Sequence, residues 1–215
     1  MTTSEKIYTS LCATFAVLVV VGNLTYQKFV SFDILKFYHF ELSVGAILYP
    51  LTFLITDLIA EFYGKENARF CVKIAVAMNI MAALIVSCMD ALPAANWSKI
   101  SDENFHHIFG FYSIAFIGSI VACYIAQVID IILYLWIKNI TRNRFLWIRN
   151  LISTSLSLFV DTSVVISFMT IFGVLPAQQM FELIRNSYSF KLFFILVNVP
   201  IFYLLVFLMK RFKNE

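Results

Sequence analysis

Four carboxylates stand inside otherwise apolar stretches of this chain: Asp57, Glu61, Asp130 and Asp161. Gln127 precedes Asp130 by three positions, and Asn23, Asn79 and Asn198 sit in three further apolar runs. If those runs lie in lipid, each mid-bilayer charge costs about 2.5–3.5 kcal/mol on insertion scales. Such groups face the protein interior and by default mark the path of a substrate or ion. Residues three or four apart share a helix face, so Asp57 stacks with Glu61 and Gln127 with Asp130. Asp57, Asp130 and Asp161 have no cation close by in sequence. A buried carboxylate without a partner tends to take up a proton or to await a cationic or donor-rich ligand. Glu61 has a second reading, as a helix-end ion pair with Lys65 or Arg69. The three Asn read first as interhelical hydrogen-bond links, worth about 0.6 kcal/mol each.

The chemistry on offer is binding. Asp and Glu supply acceptors, Gln127 a mixed donor and acceptor, and the chain is rich in aromatic faces, with 23 Phe and 10 Tyr. A purine-like base suits such a cavity: its ring stacks on an aromatic side chain and a carboxylate accepts from its N1–H and exocyclic amine. An aliphatic or aromatic amine fits as well. An anion does not, because the cations are expected outside mid-membrane.

The elements that must position these groups are membrane spans. The chain has 215 residues, 61% hydrophobic and only 13% charged, against about 25% charged in a soluble domain. Several runs reach the ~20 residues that cross a bilayer as a helix. They lack the alternation of an outer-membrane barrel. The expected fold is all-α: a polytopic integral membrane protein, one transmembrane domain over 1–215. Its six spans are placed near 9–30, 42–63, 69–90, 109–137, 148–173 and 191–209. The early apolar run lacks a small-x-small cleavage site and reads as a retained first span rather than a signal peptide.

Lys and Arg set the orientation. Lys6, Lys65, Arg69, Lys73, Lys138, Arg142, Arg144, Arg149, Lys210, Arg211 and Lys213 fall on one side. Lys28, Lys36, Lys99, Arg185 and Lys191 fall on the other. The majority side is cytoplasmic by the positive-inside rule, which puts both termini in the cytoplasm. The expected place is the inner, cytoplasmic membrane, crossed several times. The outer segment 93–107 is long enough for a short interfacial helix or lid.

Other chemistries find little support. Cys12, Cys71, Cys88 and Cys123 are irregularly spaced in apolar runs, arguing against disulfides and a metal site. Adjacent His106 and His107 read as surface residues. No G-x-x-x-x-G-K-S/T phosphate loop is present, so an energy source other than an ion gradient would need a separate subunit. AQVIDI (126–131) and SLFVDT (157–162) form a faint internal echo, which would let Asp130 and Asp161 meet near mid-membrane if the chain holds an inverted repeat.

The segment TDLIAEFYGKENAR, with Thr56, Asp57, Glu61, Tyr63, Gly64, Ala68 and Arg69, resembles the signature of the queuosine precursor transporter family, a branch of the vitamin uptake transporters. AQVIDI resembles that family's S/A-Q-x-x-D segment. LWIRNLISTSLSLFVDT resembles a third block through Trp147, Arg149, Asn150, Ser153, Thr154, Ser157, Asp161 and Thr162. Leu158 departs from it, standing where Gln is common. The resemblance implies a transporter rather than an enzyme. Its substrate would be a 7-deazaguanine: the 7-cyano or 7-aminomethyl precursor, or queuine, salvaged for tRNA modification. It implies as partners that nucleobase and the lipid bilayer, no nucleic acid, and a second copy as an open option for a homodimer. No cofactor or metal is expected. The candidate substrate-binding set is Asp130, Asp161, Gln127, Asp57, Glu61, Asn23, Asn79 and Asn198, with Asp130 and Asp161 foremost. Three alternatives stay open: a substrate-binding subunit of a larger energised complex, a transporter of another vitamin-like amine or base, and, remotely, an intramembrane aspartyl protease. The last needs two carboxylates sharing a proton, but no G-x-G-D motif is present.

Overall fold

The computed structural model describes residues 2–26, 28–34, 38–109, 112–173 and 175–213. Lys36 and the side chain of Lys213, both counted above for orientation, lie outside the described residues. The elements are α1 (Thr3–Leu24), β1 (Phe29–Ile34), β2 (Tyr38–Ser43), a 3-10 turn (Val44–Ile47), α2 (Tyr49–Asp90), α3 (Asp102–Phe109), α4 (Tyr112–Ile140), α5 (Leu146–Ile171) and α6 (Met180–Lys213). Among the described residues, five helices are long and apolar enough to cross a membrane. The chain is an all-helical multi-pass membrane protein with one small hairpin added.

The helices begin and end for local reasons. Thr2 Oγ1 accepts from the Glu5 amide and Glu5 Oε2 from the Thr2 amide, a capping box that starts α1. Pro50, in the first turn of α2, occupies a position where a missing N–H costs nothing. The α4–α5 turn is tight and strained. Arg142, Asn143 and Phe145 all have positive φ (48°, 64° and 56°), each in a region that side chains enter at a cost of about 1–2 kcal/mol.

The expected second and third spans are one element, α2, with no loop between them. At 1.5 Å per residue its 42 residues would extend about 63 Å, twice the ~30 Å hydrocarbon core. It is broken at Gly64, whose φ of 83° and ψ of 177° belong to a region essentially reserved for glycine. Residues Leu54–Ala60 of the first arm and Ala68–Ala75 of the second share one core cluster with Cys12, Phe15, Ala16 and Val19 of α1. Those α1 residues span only about 10 Å, against about 32 Å from Leu54 to Ala75 on a straight helix. The glycine therefore folds both arms against the same stretch of α1.

Two further differences from the expected spans have a visible cause. The first helix ends at Leu24, and the chain then enters an antiparallel hairpin with Phe29 opposite Ser43 and Val30 opposite Leu42. Its alternation of apolar and polar residues (FVSFDI, YHFELS) is the period-two signal of strands. The last helix starts at Met180 rather than near 191, because its first turns carry polar residues that a hydropathy window excludes. The segment 93–107 does hold most of a short helix, α3, fastened by Asp102 Oδ1 accepting from the Ala94 amide at 2.7 Å.

Candidate functional site

The polar residues of the bundle form a column through α2, α4, α5 and α6, in three tiers. Register along the helices fixes their order. On α2, Tyr49, Thr52, Thr56, Asp57 and Glu61 follow one another over about 18 Å. On α5, which runs oppositely, Arg149 lies beside Glu61, and Asp161 beside the Tyr49 end.

The first tier surrounds a cavity at the hairpin end, lined among others by Asn23, Tyr49, Ser119, Asp161, Thr162 and Lys191. Lys191 Nζ is 2.8 Å from Asp161 Oδ2 and 2.9 Å from Thr162 Oγ1, and it stands 4.8 Å from the centre of the Tyr49 ring. Ser119 Oγ donates to Asn23 Oδ1 at 2.6 Å, with Tyr49 Oη 3.4 Å from the same hydroxyl. Two buried polar atoms here have no hydrogen-bond partner among the described residues: Asp161 Oδ1, an acceptor, and Asn23 Nδ2, a donor. The cavity depends on a close backbone approach. A Cβ on Gly45 would stand 2.0 Å from the Gly22 carbonyl oxygen.

In the second tier, Asp57 and Asp130 face each other, both fully buried. Asn150 Nδ2 and Thr154 Oγ1 donate to Asp57 Oδ2. Beside them Thr56 Oγ1 donates to Gln127 Oε1 at 2.8 Å and Gln127 Nε2 donates to Thr52 Oγ1 at 3.3 Å.

The third tier lines a second cavity, with Glu61, Lys138, Asn143, Arg149, Tyr203 and Lys210. Glu61 Oε1 accepts from Arg149 Nη2 and Oε2 lies 2.9 Å from Lys138 Nζ. Tyr134 Oη donates to Oε2 at 3.1 Å, and the Arg149 guanidinium carbon lies 5.2 Å from the Tyr134 ring centre. Each end of the column thus carries a carboxylate, a cation and a tyrosine. Between the two cavities lies a packed polar plug.

The candidate residues are distributed differently from the sequence expectation. Asp161 and Asn23 line the first cavity. Asp161 does not meet Asp130. The cation held by Asp161 is Lys191, only 4% exposed, so a basic group does reach the interior, contrary to the expectation drawn from hydropathy. Glu61 pairs with Arg149 and Lys138 rather than with Lys65 or Arg69, because those two lie beyond the break at Gly64. Gln127 has its amide engaged by two α2 threonines. Asn198 donates to the Pro50 carbonyl at 3.3 Å, tying α6 to the start of α2. Asn79 is buried on the second arm of α2 with both amide atoms unpartnered, apart from the two cavities.

Sequence reasoning missed Lys191, Tyr49 and Ser119. Lys191 did carry a signal: a lone cation between Phe190 and Leu192 at the head of an apolar run. Arg149, Asn150 and Thr154 stood in the third sequence block, and they meet Glu61 and Asp57 from the first.

Comparison with known proteins bears on the same residues. The family described as "Putative vitamin uptake transporter" matches residues 43–205. A curated protein from Bacillus subtilis (strain 168), named "Probable queuosine precursor transporter", is 28% identical over 162 residues, covering 75% of this chain and 70% of that protein. No solved structure matches.

Proposed function

Since this chain belongs to the vitamin uptake transporter family, we propose that it imports a queuosine precursor, a 7-deazaguanine, across the inner membrane. The carrying observation is the first cavity, lined by Asp161, Lys191, Asn23 and the Tyr49 ring, where a buried acceptor and a buried donor lack a hydrogen-bond partner among the described residues. A guanine-type edge fits that pattern. Its N1–H and exocyclic amine give hydrogen bonds to Asp161 Oδ1. Its carbonyl oxygen accepts from Lys191 Nζ or Asn23 Nδ2, and its ring lies on Tyr49. The named relative supports the substrate class.

In this reading the chain crosses the membrane six times, α2 supplying two crossings by turning back at Gly64, and both termini are cytoplasmic. Two contacts support a shared side for the termini: Tyr63 Oη donates to the Ser4 carbonyl at 2.9 Å, and Lys210 lines the cavity of Glu61. The Lys and Arg excess makes that side the cytoplasm. The first cavity then opens outward and the second inward. Transport alternates between them as the plug at Asp57, Gln127 and Asp130 rearranges. The protein itself supplies binding and passage, not catalysis.

The test is tRNA modification in a host unable to make the precursor, fed each candidate base in turn. The chain restores modification with at least one of them. Asp161→Asn abolishes rescue while the protein still inserts in the membrane. Normal rescue by that variant would remove Asp161 from the site.

A further inference from the structure

The middle tier does not resemble the other two. At either end a carboxylate has a cation: Asp161 has Lys191, and Glu61 has Arg149 and Lys138. Asp57 and Asp130 have none among the described residues. Asp57 Oδ1, both oxygens of Asp130 and Ser157 Oγ are buried and make no hydrogen bond among the described residues, with the hydroxyls of Ser153, Thr154 and Ser157 beside Asp130. The two carboxyl groups face each other. Two carboxylate oxygens are both acceptors, and they attract only when one of them carries a hydrogen. Neither residue lines either of the two cavities, so a base lodged in the first does not reach them.

We infer that Asp57 and Asp130 together form a proton-binding site, distinct from the substrate site, that couples movement of the plug to proton entry. The inference rests on the transport reading above only for the coupling, not for the proton. Asp57 is held on α2 and secured to α5 by Asn150 and Thr154; Asp130 is on α4. A proton shared by the pair holds α2, α4 and α5 together. When it leaves, two like charges face each other out of water, at a cost large enough to separate the helices. The plug loosens or tightens with the proton, and the two cavities communicate in turn. A sodium ion is the competing occupant for an acidic oxygen cluster, but it needs a cage of six or so ligands, whereas a proton needs no cavity.

The titratable and charged groups around the pair are few. Toward the inner end lies Glu61 on α2, with Tyr134 and Lys138 of α4 and Arg149 of α5 each bonded to it. Toward the outer end lie Lys191 on α6 and Asp161 on α5, bonded to each other, and Cys123 on α4. From α1, Cys12 belongs to the shared core cluster.

Two measurements on the purified chain test this. Dicyclohexylcarbodiimide attacks carboxyl groups that carry a proton in an apolar setting. Mass spectrometry should place one adduct per chain on Asp57 or Asp130, and Asp130→Asn should remove it; no adduct at either residue overturns the site. In proteoliposomes, an inward proton gradient should drive the wild type to accumulate labelled 7-cyano-7-deazaguanine several-fold, with a trapped dye reporting acidification. Asp130→Asn, checked for monodispersity, should lose accumulation and acidification yet keep counterflow exchange of the base without a gradient. Asp57→Asn serves as the second variant. Loss of exchange in both folded variants would mean that the carboxyls touch the base, and accumulation driven by sodium at equal pH would also overturn the proposal. An adduct with no exchange of any 7-deazaguanine by the wild type would leave the proton site standing and remove the substrate reading instead.

Discussion

Replacing Lys191 by Met should strongly destabilise the protein. The side chains of Lys191 and Asp161 are 5% and 3% exposed and 2.8 Å apart. At an effective dielectric near 20 their attraction is about 6 kcal/mol before desolvation is counted. Desolvation offsets much of that in the intact pair, but in the variant Asp161 stays buried with its cation gone. Breaking such a pair from one side costs about 3–5 kcal/mol. By the scaling of soluble domains of this size, that lowers the melting temperature by roughly 6–20 °C. The assay is thermal unfolding in detergent of three variants: Lys191→Met, Asp161→Leu and the pair combined. The double variant should recover most of the stability, since an apolar pair of similar volume is often no worse than a buried ion pair. It should nevertheless fail to bind the base, which titration calorimetry reads directly. A Lys191→Met protein melting within a degree or two of wild type would refute the claim that the pair is closed off from water. Base binding by the double variant would refute the placement of the substrate.

Three further outcomes follow from the packing. Gly45→Ala forces a Cβ into the Gly22 carbonyl, where only backbone movement relieves the clash, and should cost more than the usual 1–3 kcal/mol of overpacking. Gly118→Ala, which meets the Phe168 ring instead, should cost less, because a side chain can turn aside; melting temperatures compare the two. Gly64→Ala has open space around it and should lose only about 1–3 kcal/mol, all from backbone conformation, so a variant as stable as wild type would show that the reversal does not need the positive φ. Glu61→Gln leaves Arg149 and Lys138 both without their carboxylate, whereas Arg149→Gln leaves Glu61 its bonds to Lys138 and Tyr134. The first should therefore be the more destabilising, by the same measurement.

The length and apolarity of the runs determined by themselves that this chain is a bundle of membrane helices, since only helices and closed barrels satisfy their own hydrogen bonds in lipid and the runs lack a barrel's alternation. The cost of a charge in that setting also determined which side chains to weigh. Asp57, Glu61, Asp130 and Asp161 are all interior, and the sequence blocks that carry the family likeness converge in space, Asn150 and Thr154 on Asp57 and Arg149 on Glu61. Pairing was not legible. Helical periodicity says which residues share a face of one helix, but not which face of a second helix is turned toward it, nor at what height. Asp130 met Asp57 rather than Asp161 for that reason. Lys191, which hydropathy alone would leave at the surface, became the buried partner of Asp161 because α6 begins two to three turns earlier than its apolar core. The hairpin was hidden likewise, being too short to stand out from its apolar surroundings. The reversal near Gly64 was legible as the short charged stretch between the spans at 42–63 and 69–90, though not that it takes place at one residue inside a continuous element. Rotation and height between helices are set by how their side chains interlock, and that is a property only of the assembled bundle.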